Sequence, residues 1–501
     1  MFLKNLALLF AVLIHFTLQA QLKLGKIFSD NMVIQQNKPV VFYGKYLPGE
    51  EVSIRFSSEN KTTTAKADST WEINFPPQKA NNNPQEIYIS SNKENIKLKN
   101  ILIGDVWLCI GQSNMEFTLS SEKHYNAESP NLNHPLIRFF NPVYAGKNIY
   151  GKAFTDSILT NLNENDFFKG NWENCNKSSA PSMSAIGYYF AKIISEDQQI
   201  PIGIINLSIG GAPIESFINT ETLLSHPVFK TKAIGNWLEN TYLPVWIRER
   251  GKQNLAGNSD ENLNHAYKPG FAYQSGIAPI IEFPVAGILW YQGESNAQEI
   301  ERVLEYKDLQ KLMVDDYRKT WNSPELPFYY VQLSSIDTLH YRSHYWPEFR
   351  NEQRIFLYET KNTGMAVSSD VGNKNDVHPA DKKTIAERLA KWAKYDYYGN
   401  RNILPSGPLP VEAIFSGEKI ILKFEYTGSG LKTAGMESLR GFSIDGIKEI
   451  PAVIKGHTIE IEVNEKPEFI YYGWKPFSDA NLLNSEILPA STFRVKVQSD
   501  K

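Results

Sequence analysis

One serine and one histidine, far apart in the sequence, have the positions expected of the two residues that catalyse an acyl-transfer reaction. Ser113 lies in the turn Gly-Gln-Ser-Asn-Met at 111–115, directly after the apolar run 106–110. A serine hydroxyl is a weak nucleophile and needs a base within hydrogen-bond reach. Among the nine histidines, His378 is the best placed, because it also follows a strand-like run, at 365–368. The pair predicts acyl transfer through a covalent acyl-enzyme.

The second nitrogen of the histidine ring needs an acceptor that holds the ring in its reactive orientation. Asp376, two residues before His378, is the first candidate. Pro379 is typical of the first turn of a helix, so His378 is expected near a helix N-terminus. There the helix dipole disfavours the imidazolium and keeps the ring free to act as a base near neutral pH.

The negative charge that develops on the attacked carbonyl oxygen needs hydrogen-bond donors, which together form an oxyanion hole. The candidate donors are the backbone N–H of Ser113, the backbone N–H of Gly210 and the side-chain amide of Gln292 or Asn296. Polar or glycine residues in the same turns are expected to contact the substrate, namely Gln112, Asn114, Gly211, Glu294 and Asn296. No metal ligand is needed for this chemistry.

Each of these residues also has a structural explanation when taken alone. A serine in such a turn often caps a helix, His378 before a proline is compatible with a helix cap, and Gly210-Gly211 is compatible with a simple tight turn. What favours a site is that four polar turns, 111–115, 208–211, 292–296 and 370–379, follow four strand-like runs. Ligands of open α/β sheets bind at the carboxyl ends of the strands, so the four turns are expected to converge.

Other chemistries have less support in the sequence. It contains no phosphate-binding loop, no dinucleotide fingerprint and no His-Glu-x-x-His zinc signature, so no cofactor and no metal is expected. The formal charge of −3 offers no field for nucleic acid. The only two cysteines, Cys109 and Cys175, make at most one disulfide and are equally compatible with buried free thiols.

The central part of the chain must position these turns, and its pattern is that of an α/β domain. Strand-like runs separated by helix-like stretches predict a parallel sheet. These runs are 106–110, 202–207, 287–291, 328–333 and 365–368. The apolar face of Leu309, Met313 and Tyr317 predicts one helix, and that of Ile385 and Leu389 predicts another. Residues 220–282 show no clear period and are interpreted as an insertion that shapes a cleft.

Segments before and after this centre have the short, alternating pattern of β-strands. The sequence therefore predicts N-terminal and C-terminal β-sandwich-like domains at 21–100 and 406–501, around an α/β domain at 101–405. Residues 1–20 combine a basic start, an apolar run and a small residue before Gln21, which is typical of a cleaved signal peptide. The mature protein is expected to be exported, without membrane insertion.

Three stretches carry a resemblance to a known family: 104–115 with Ser113, 290–296 (Trp-Tyr-Gln-Gly-Glu-Ser-Asn) and 376–379 (Asp-Val-His-Pro). They resemble the sialate O-acetylesterases of the SGNH hydrolase superfamily, and segments 28–33 and 481–490 extend the similarity over nearly the whole mature chain. The resemblance implies a serine esterase with a flavodoxin-like α/β domain and no metal. The superfamily pattern places the acid three residues before the histidine, but Asn375 occupies that position here. Either Asp376 or a backbone carbonyl therefore orients His378.

The expected function is removal of O-acetyl groups from sialic acids. An acetylxylan or other polysaccharide esterase remains the nearer alternative, because the same catalytic residues would serve it. A glycan-binding protein without catalysis is the more distant alternative. Aromatic side chains of the insertion, such as Trp237 and Trp246, and of 341–346 are candidate sugar platforms.

Overall fold

The structure is a computed structural model that describes residues 21–256, 262–339 and 341–500. The expected signal peptide at 1–20 lies outside these residues. Within the described ranges, no helix combines the length and apolar character needed to cross a membrane. The fold is a mixed α/β architecture with several sheets.

The first segment of the chain consists of strands only. They are β1 (Lys23–Leu24), β2 (Val33–Gln35), β3 (Val40–Lys45), β4 (Glu51–Phe56), β5 (Glu59–Thr64), β6 (Thr70–Phe75), β7 (Asn81–Ser91) and β8 (Asn95–Gly111). Strands β1, β3 and β6 form one sheet, while β5, β4, β7 and the first part of β8 pair in another. Phe42 and Phe75 of the first sheet contact Phe56 of the second, with ring centroids 5.6 and 5.5 Å away. The two sheets thus share an aromatic core.

Strand β8 is the element that carries the chain from this segment into the central sheet. Its first half pairs with β7, and its second half pairs with two strands of the central sheet. The expected boundary at 100/101 lies inside this continuous strand. No linker therefore separates the two sheets, and the position of Ser113 depends on both.

The central sheet contains the second half of β8 and six further strands. These are β9 (His134–Phe140), β12 (Trp172–Cys175), β13 (Ile202–Asn206), β14 (Gly287–Tyr291), β15 (Phe328–Val331) and β16 (Thr363–Ala366), while β10 (Val143–Tyr144) and β11 (Phe168–Lys169) form a separate pair. Their order is β12-β9-β13-β8-β14-β15-β16, and every pairing except β12 with β9 is parallel. All five strands that the sequence predicts are present, and β9 and β12 are additional.

Helices cover both faces of the central sheet. They are α1 (Ser113–Glu116), α2 (Tyr125–Glu128), α3 (Asp156–Thr160), α4 (Ala185–Gln198), α5 (Thr220–Ser225), α6 (Val245–Asn254), α7 (Ile300–Thr320), α8 (Trp346–Glu359) and α9 (Lys382–Asp396). Trp107 of β8 packs on Phe190 of α4, whereas Trp290 of β14 donates a hydrogen bond to Tyr306 of α7. Trp290 pairs with Ile110, three residues from Trp107 along β8, so the two tryptophans point to opposite faces.

The last part of the chain has its own apolar core. Its strands are β17 (Leu409–Ser416), β18 (Lys419–Glu425), β19 (Leu431–Thr433), β20 (Phe442–Ser443), β21 (Val453–Lys455), β22 (Thr458–Glu462), β23 (Phe469–Tyr472), β24 (Leu482–Asn484) and β25 (Phe493–Ser499). Seven of them form one sheet in the order β20-β23-β25-β17-β18-β22-β21, while β19 pairs with β24. Arg350 of α8 reaches this segment and donates hydrogen bonds to the carbonyl oxygens of Gly473, Lys475 and Pro476.

Both cysteines are free and buried. Cys109 lies inside β8, where burial raises the pKa of its thiol. Cys175 ends β12 on the far side of β9. Neither thiol lines the cleft described below, so both belong to the packing of the sheet.

Candidate active site

A cleft of about 670 Å³ opens at the carboxyl ends of the central strands. This volume falls within the range of roughly 300–1,000 Å³ that is common for ligand pockets. Ser113 and His378 both line it. The cleft therefore lies where parallel α/β sheets bind their ligands.

Ser113 and His378 form a hydrogen bond across this cleft. The Oγ of Ser113 lies 2.8 Å from Nε2 of His378. Ser113 is the first residue of α1, directly beyond the end of β8, and His378 lies in the loop between β16 and α9. This is the contact that a histidine needs to accept the hydroxyl proton as the serine attacks a carbonyl carbon.

Asp376 lies on the other side of the histidine ring. Its Oδ1 is 3.4 Å from Nδ1 of His378. The same oxygen accepts a hydrogen bond from the backbone N–H of His378 at 2.8 Å. The carboxylate is 57% exposed. It thus holds the His378 loop and faces the ring nitrogen, at a distance longer than an ordinary hydrogen bond.

The pKa of His378 is lowered, but not by the helix dipole that the sequence suggested. Helix α9 begins at Lys382 with Asp381 as its cap, four residues after His378, so the expectation of a helix start at Pro379 is wrong. The main cause of the lowered pKa is burial, and the second is the positive charge of Lys382. Both favour the neutral imidazole that acts as a base.

The turn that presents Ser113 requires a glycine at position 111. Gly111 has a φ of +133°, and a Cβ atom there would lie 2.1 Å from the carbonyl oxygen of Tyr291 in β14. Side chains other than hydrogen avoid this backbone region, and such an overlap is forbidden. Gly111 therefore allows β8 to end tightly against β14 and to turn Ser113 into the cleft.

Asn114 connects the serine turn with the histidine loop. Its side-chain amide donates to Oε1 of Glu294 at 2.5 Å and to the carbonyl oxygen of Val377 at 2.9 Å. Its side-chain oxygen accepts a hydrogen bond from Nζ of Lys382 at 2.5 Å. Because Asn114 follows Ser113 and Val377 precedes His378, these bonds fix Ser113 and His378 relative to each other.

Lys382 and Glu294 are two buried ionisable groups behind this asparagine. Burial lowers the pKa of Lys382 to about 7 and raises that of Glu294. Oε2 of Glu294 has no hydrogen-bond partner among the residues that the structure describes. The site thus contains two groups whose charged forms are destabilised, which is common at functional sites.

Known carbohydrate esterases are similar to this chain in sequence and in fold. Residues 263–393 match a family model described as "Carbohydrate esterase, sialic acid-specific acetylesterase". The sialate O-acetylesterase of Mus musculus is 26% identical over 80% of this chain and 78% of its own length, and that of Homo sapiens is 27% identical over 80% and 76%. A crystal structure of a carbohydrate acetylesterase from Xanthomonas citri covers 95% of this chain and all of its own, with a TM-score of 0.76 and 27% identity.

The chain is similar to sialate O-acetylesterases over 80% of its length, and residues 263–393 match the sialic acid-specific acetylesterase model. It is a carboxylic ester hydrolase. The family resemblance in the sequence and the Ser113–His378 contact therefore agree on the class of reaction.

Two of the expected oxyanion donors of this esterase are occupied inside the protein. The Nε2 of Gln292 donates to Gln112, Ala212 and Asn296, and Tyr306 donates to its oxygen. The Nδ2 of Asn296 donates to Glu215. Both side chains are fully buried and lie outside the lining of the cleft. The structure thus brings them beneath the site, where they support it.

The glycine pair of the esterase divides into two different environments. The N–H of Gly210 donates to Oη of Tyr144 at 3.1 Å. Gly211 lines the cleft, and its N–H has no acceptor in the described parts of the chain, nor has that of Ser113. Gln112 also lines the cleft, while its side-chain oxygen accepts N–H groups of Gly293 and Ser295. Of the predicted backbone donors Ser113 and Gly210 and the neighbouring Gly211, the N–H groups of Ser113 and Gly211 thus have no protein acceptor among the described residues.

Most of the cleft wall of the esterase consists of residues that the sequence analysis did not single out. They are Tyr150, Glu249, Ser295, Gln298, Thr338, Leu339, Arg342 and Val377. Trp246 from the insertion and Tyr341 and His344 from the aromatic segment line it as expected of sugar platforms, whereas Trp237 is buried against His265. These loops carry no periodic pattern, so only their unusual aromatic content pointed to them.

Proposed function

We propose that the protein is an exported serine esterase that removes O-acetyl groups from sialic acids. The observation that carries the proposal is the 2.8 Å contact between Oγ of Ser113 and Nε2 of His378 in the lining of the cleft. The sialic acid substrate comes from the names of the murine and human relatives.

The mechanism follows from the positions of these two residues. Ser113 attacks the acetyl carbonyl carbon while His378 accepts its proton. His378 then protonates the departing sugar oxygen, which leaves an acetyl-enzyme on Ser113. A water molecule, deprotonated by the same histidine, attacks this ester and releases acetate, and the proton returns to Ser113. Asp376 holds the imidazole through Nδ1 and stabilises its charged form.

The oxyanion hole is assigned to the backbone N–H groups of Ser113 and Gly211. Both residues line the cleft, and neither N–H has a protein acceptor among the described residues. Gly210 is a third donor if its N–H exchanges Tyr144 for the oxyanion. Gln292, Asn296, Asn114 and Glu294 support the turns from below, as their buried hydrogen bonds indicate.

The flavodoxin-like arrangement of the SGNH hydrolases is part of this proposal. Counting β8, β13, β14, β15 and β16 in chain order, the sheet reads 2-1-3-4-5, with β9 and β12 added at one edge. The β-rich segments 21–100 and 406–501 are proposed as flanking domains of an esterase domain at 101–405, and 1–20 as a cleaved export signal.

The test is acetate release by the purified mature protein. We expect Ser113-dependent release from 9-O-acetylated N-acetylneuraminic acid, with Ser113→Ala as the blank. Acetylated xylan is the comparison substrate, since the catalytic pair does not by itself select the sugar. Faster acetate release from acetylated xylan would contradict sialic acid as the substrate. Acetate release that persists in Ser113→Ala would contradict the mechanism.

A further inference from the structure

Arg342 stands in the wall of the cleft without a partner of opposite charge. Its side chain is exposed and lines the same cavity as Ser113 and His378. Within the residues that the structure describes, no carboxylate forms an ion pair with it and no side chain accepts a hydrogen bond from it. A guanidinium offers five N–H donors in a planar fork that matches a carboxylate.

The backbone on both sides of Arg342 is held in place. The ring of Tyr341 packs edge-on against the buried Trp346, with centroids 5.4 Å apart, and Gln298 donates to its hydroxyl at 3.4 Å. Ser343 is fully buried and donates its N–H to the carbonyl oxygen of Tyr341. Arg342 is therefore the outward residue of a fixed turn, so binding a ligand through its side chain costs little backbone ordering.

The other charges of the cleft leave the arginine available. Glu249 is the acidic residue of the lining and lies on α6, a different wall, without an ion-pair partner in the described ranges. Arg250 lies over the rings of Tyr150 and Trp246, two lining residues, at 5.5 and 5.6 Å. Arg250 therefore adds a second positive charge against two aromatic residues of the lining, although it is not itself a lining residue.

We propose that Arg342 forms a subsite that binds the carboxylate of an acidic sugar. This inference rests on the proposed function and deepens it, because sialic acids carry an ionised carboxylate and the sugars of xylan backbones do not. Arg342 is then the residue that selects an acidic sugar over a neutral one. It acts on binding and takes no part in the chemical step.

The test compares an acid with its own methyl ester. Binding of N-acetylneuraminic acid and of its methyl ester is measured by calorimetry with the full mature protein and with Arg342→Gln. We expect the wild type to bind the acid roughly tenfold to a hundredfold more tightly than the ester. We expect this preference to disappear in Arg342→Gln and to remain in part in Arg342→Lys. The control is Arg401→Gln, which replaces an exposed arginine outside the cleft and should leave the preference unchanged.

Several results would overturn the subsite. They are equal affinity for acid and ester in the wild type, a preference that survives in Arg342→Gln, and no binding of either sugar. Acetate release distinguishes this failure from failure of the proposed function. If acetate release depends on Ser113 but the acid does not bind more tightly than its ester, only the subsite is contradicted. If the preference for the acid depends on Arg342 but no acetate is released, only the esterase assignment is contradicted.

Discussion

At the scale of single residues, the proposed role of His378 as the base predicts the pH range of the reaction. Catalysis needs its neutral form, and both burial and the charge of Lys382 lower its pKa below 6.5. We predict that kcat/KM falls on the acid side with a midpoint below pH 6.5. Lys382→Met removes the positive charge and moves this midpoint to higher pH, which a pH–rate profile measures. A midpoint that does not move would contradict the effect of the Lys382 charge on the pKa of His378.

Asp376 decides between a catalytic triad and a dyad. Its Oδ1 faces Nδ1 of His378 at 3.4 Å, and its side chain is 57% exposed. We predict that Asp376→Asn lowers kcat at least tenfold, because the amide no longer stabilises the imidazolium, while the melting temperature changes by no more than about 2 °C. The paired measurements are kcat and thermal unfolding.

Turnover of Asp376→Asn close to that of the wild type would exclude the carboxylate role. Asn375→Ala is the matched control, since Asn375 occupies the superfamily position of the acid and is exposed. We expect this control to leave kcat unchanged.

The sequence predicted the contact between Ser113 and His378 but not the electrostatic environment of this proposed catalytic pair. The proximity of Ser113 and His378 could be predicted because each residue follows a strand-like run, and the carboxyl ends of parallel strands meet at one edge of the sheet. Lys382, by contrast, appears in sequence as an ordinary residue at the start of a helix. Its burial follows from the packing of α9 against the Ser113 turn, which no local pattern encodes.

At the scale of elements, the tight contact of β8 with β14 positions Ser113, the proposed nucleophile. A Cβ at Gly111 would overlap the carbonyl oxygen of Tyr291, whereas Gly417, in the hairpin between β17 and β18, has open space around it at a φ of +66°. We predict that Gly111→Ala destabilises the fold by more than about 3 kcal/mol and abolishes activity. Gly417→Ala should cost about 1 kcal/mol and leave activity intact.

Urea unfolding of the two variants checks this prediction. Similar losses of stability in both would mean that backbone strain alone, rather than the contact with β14, decides the effect. A fully active Gly111→Ala would contradict the assigned turn.

The strands of the site were predictable, but β9, which lies between the edge strand β12 and β13, was not. The five predicted runs are continuous apolar segments, as expected for strands buried on both faces. Strand β9 has the sequence His-Pro-Leu-Ile-Arg-Phe-Phe, in which Pro135 and Arg138 interrupt the apolar pattern. Arg138 is nevertheless buried and donates to the carbonyl oxygens of Pro135 and Ile137. Hydrogen bonds within the strand itself therefore satisfy part of this buried guanidinium, which the apolar pattern of the sequence does not reveal.

At the scale of the whole molecule, Arg350 ties the C-terminal sheet to the cleft. It is fully buried, its pKa is lowered to about 9 by burial, and it donates to three carbonyl oxygens of 473–476 and to Ser335. Arg350→Met removes the donor to the carbonyl oxygen of Lys475 and one of two donors to those of Gly473 and Pro476. We therefore predict a loss of about 2 kcal/mol in unfolding free energy. Activity should fall too, because Ser335 lies in the loop between β15 and α8, which also carries Arg342.

The matched control is Arg440→Gln. Arg440 is exposed and pairs with Glu437, so its replacement should change stability by no more than about 0.5 kcal/mol. Equal effects of the two substitutions would contradict the role of Arg350.

The overall organisation was only partly visible in the sequence. The change from alternating strands to strand–helix units indicated where the central sheet begins, because the two patterns bury different faces. It did not indicate that β8 serves two sheets without a break. Pairing partners of a long strand depend on distant segments, so the sequence of the strand alone does not reveal them.

The most direct test of the central claim is to identify the nucleophile with a fluorophosphonate and peptide mass spectrometry. We predict one label per chain, on Ser113, with labelling slowed at least a hundredfold in His378→Gln because the proton of Ser113 then has no acceptor. A label on another residue, or an unchanged labelling rate in His378→Gln, would contradict the assignment of Ser113 and His378 as the catalytic pair.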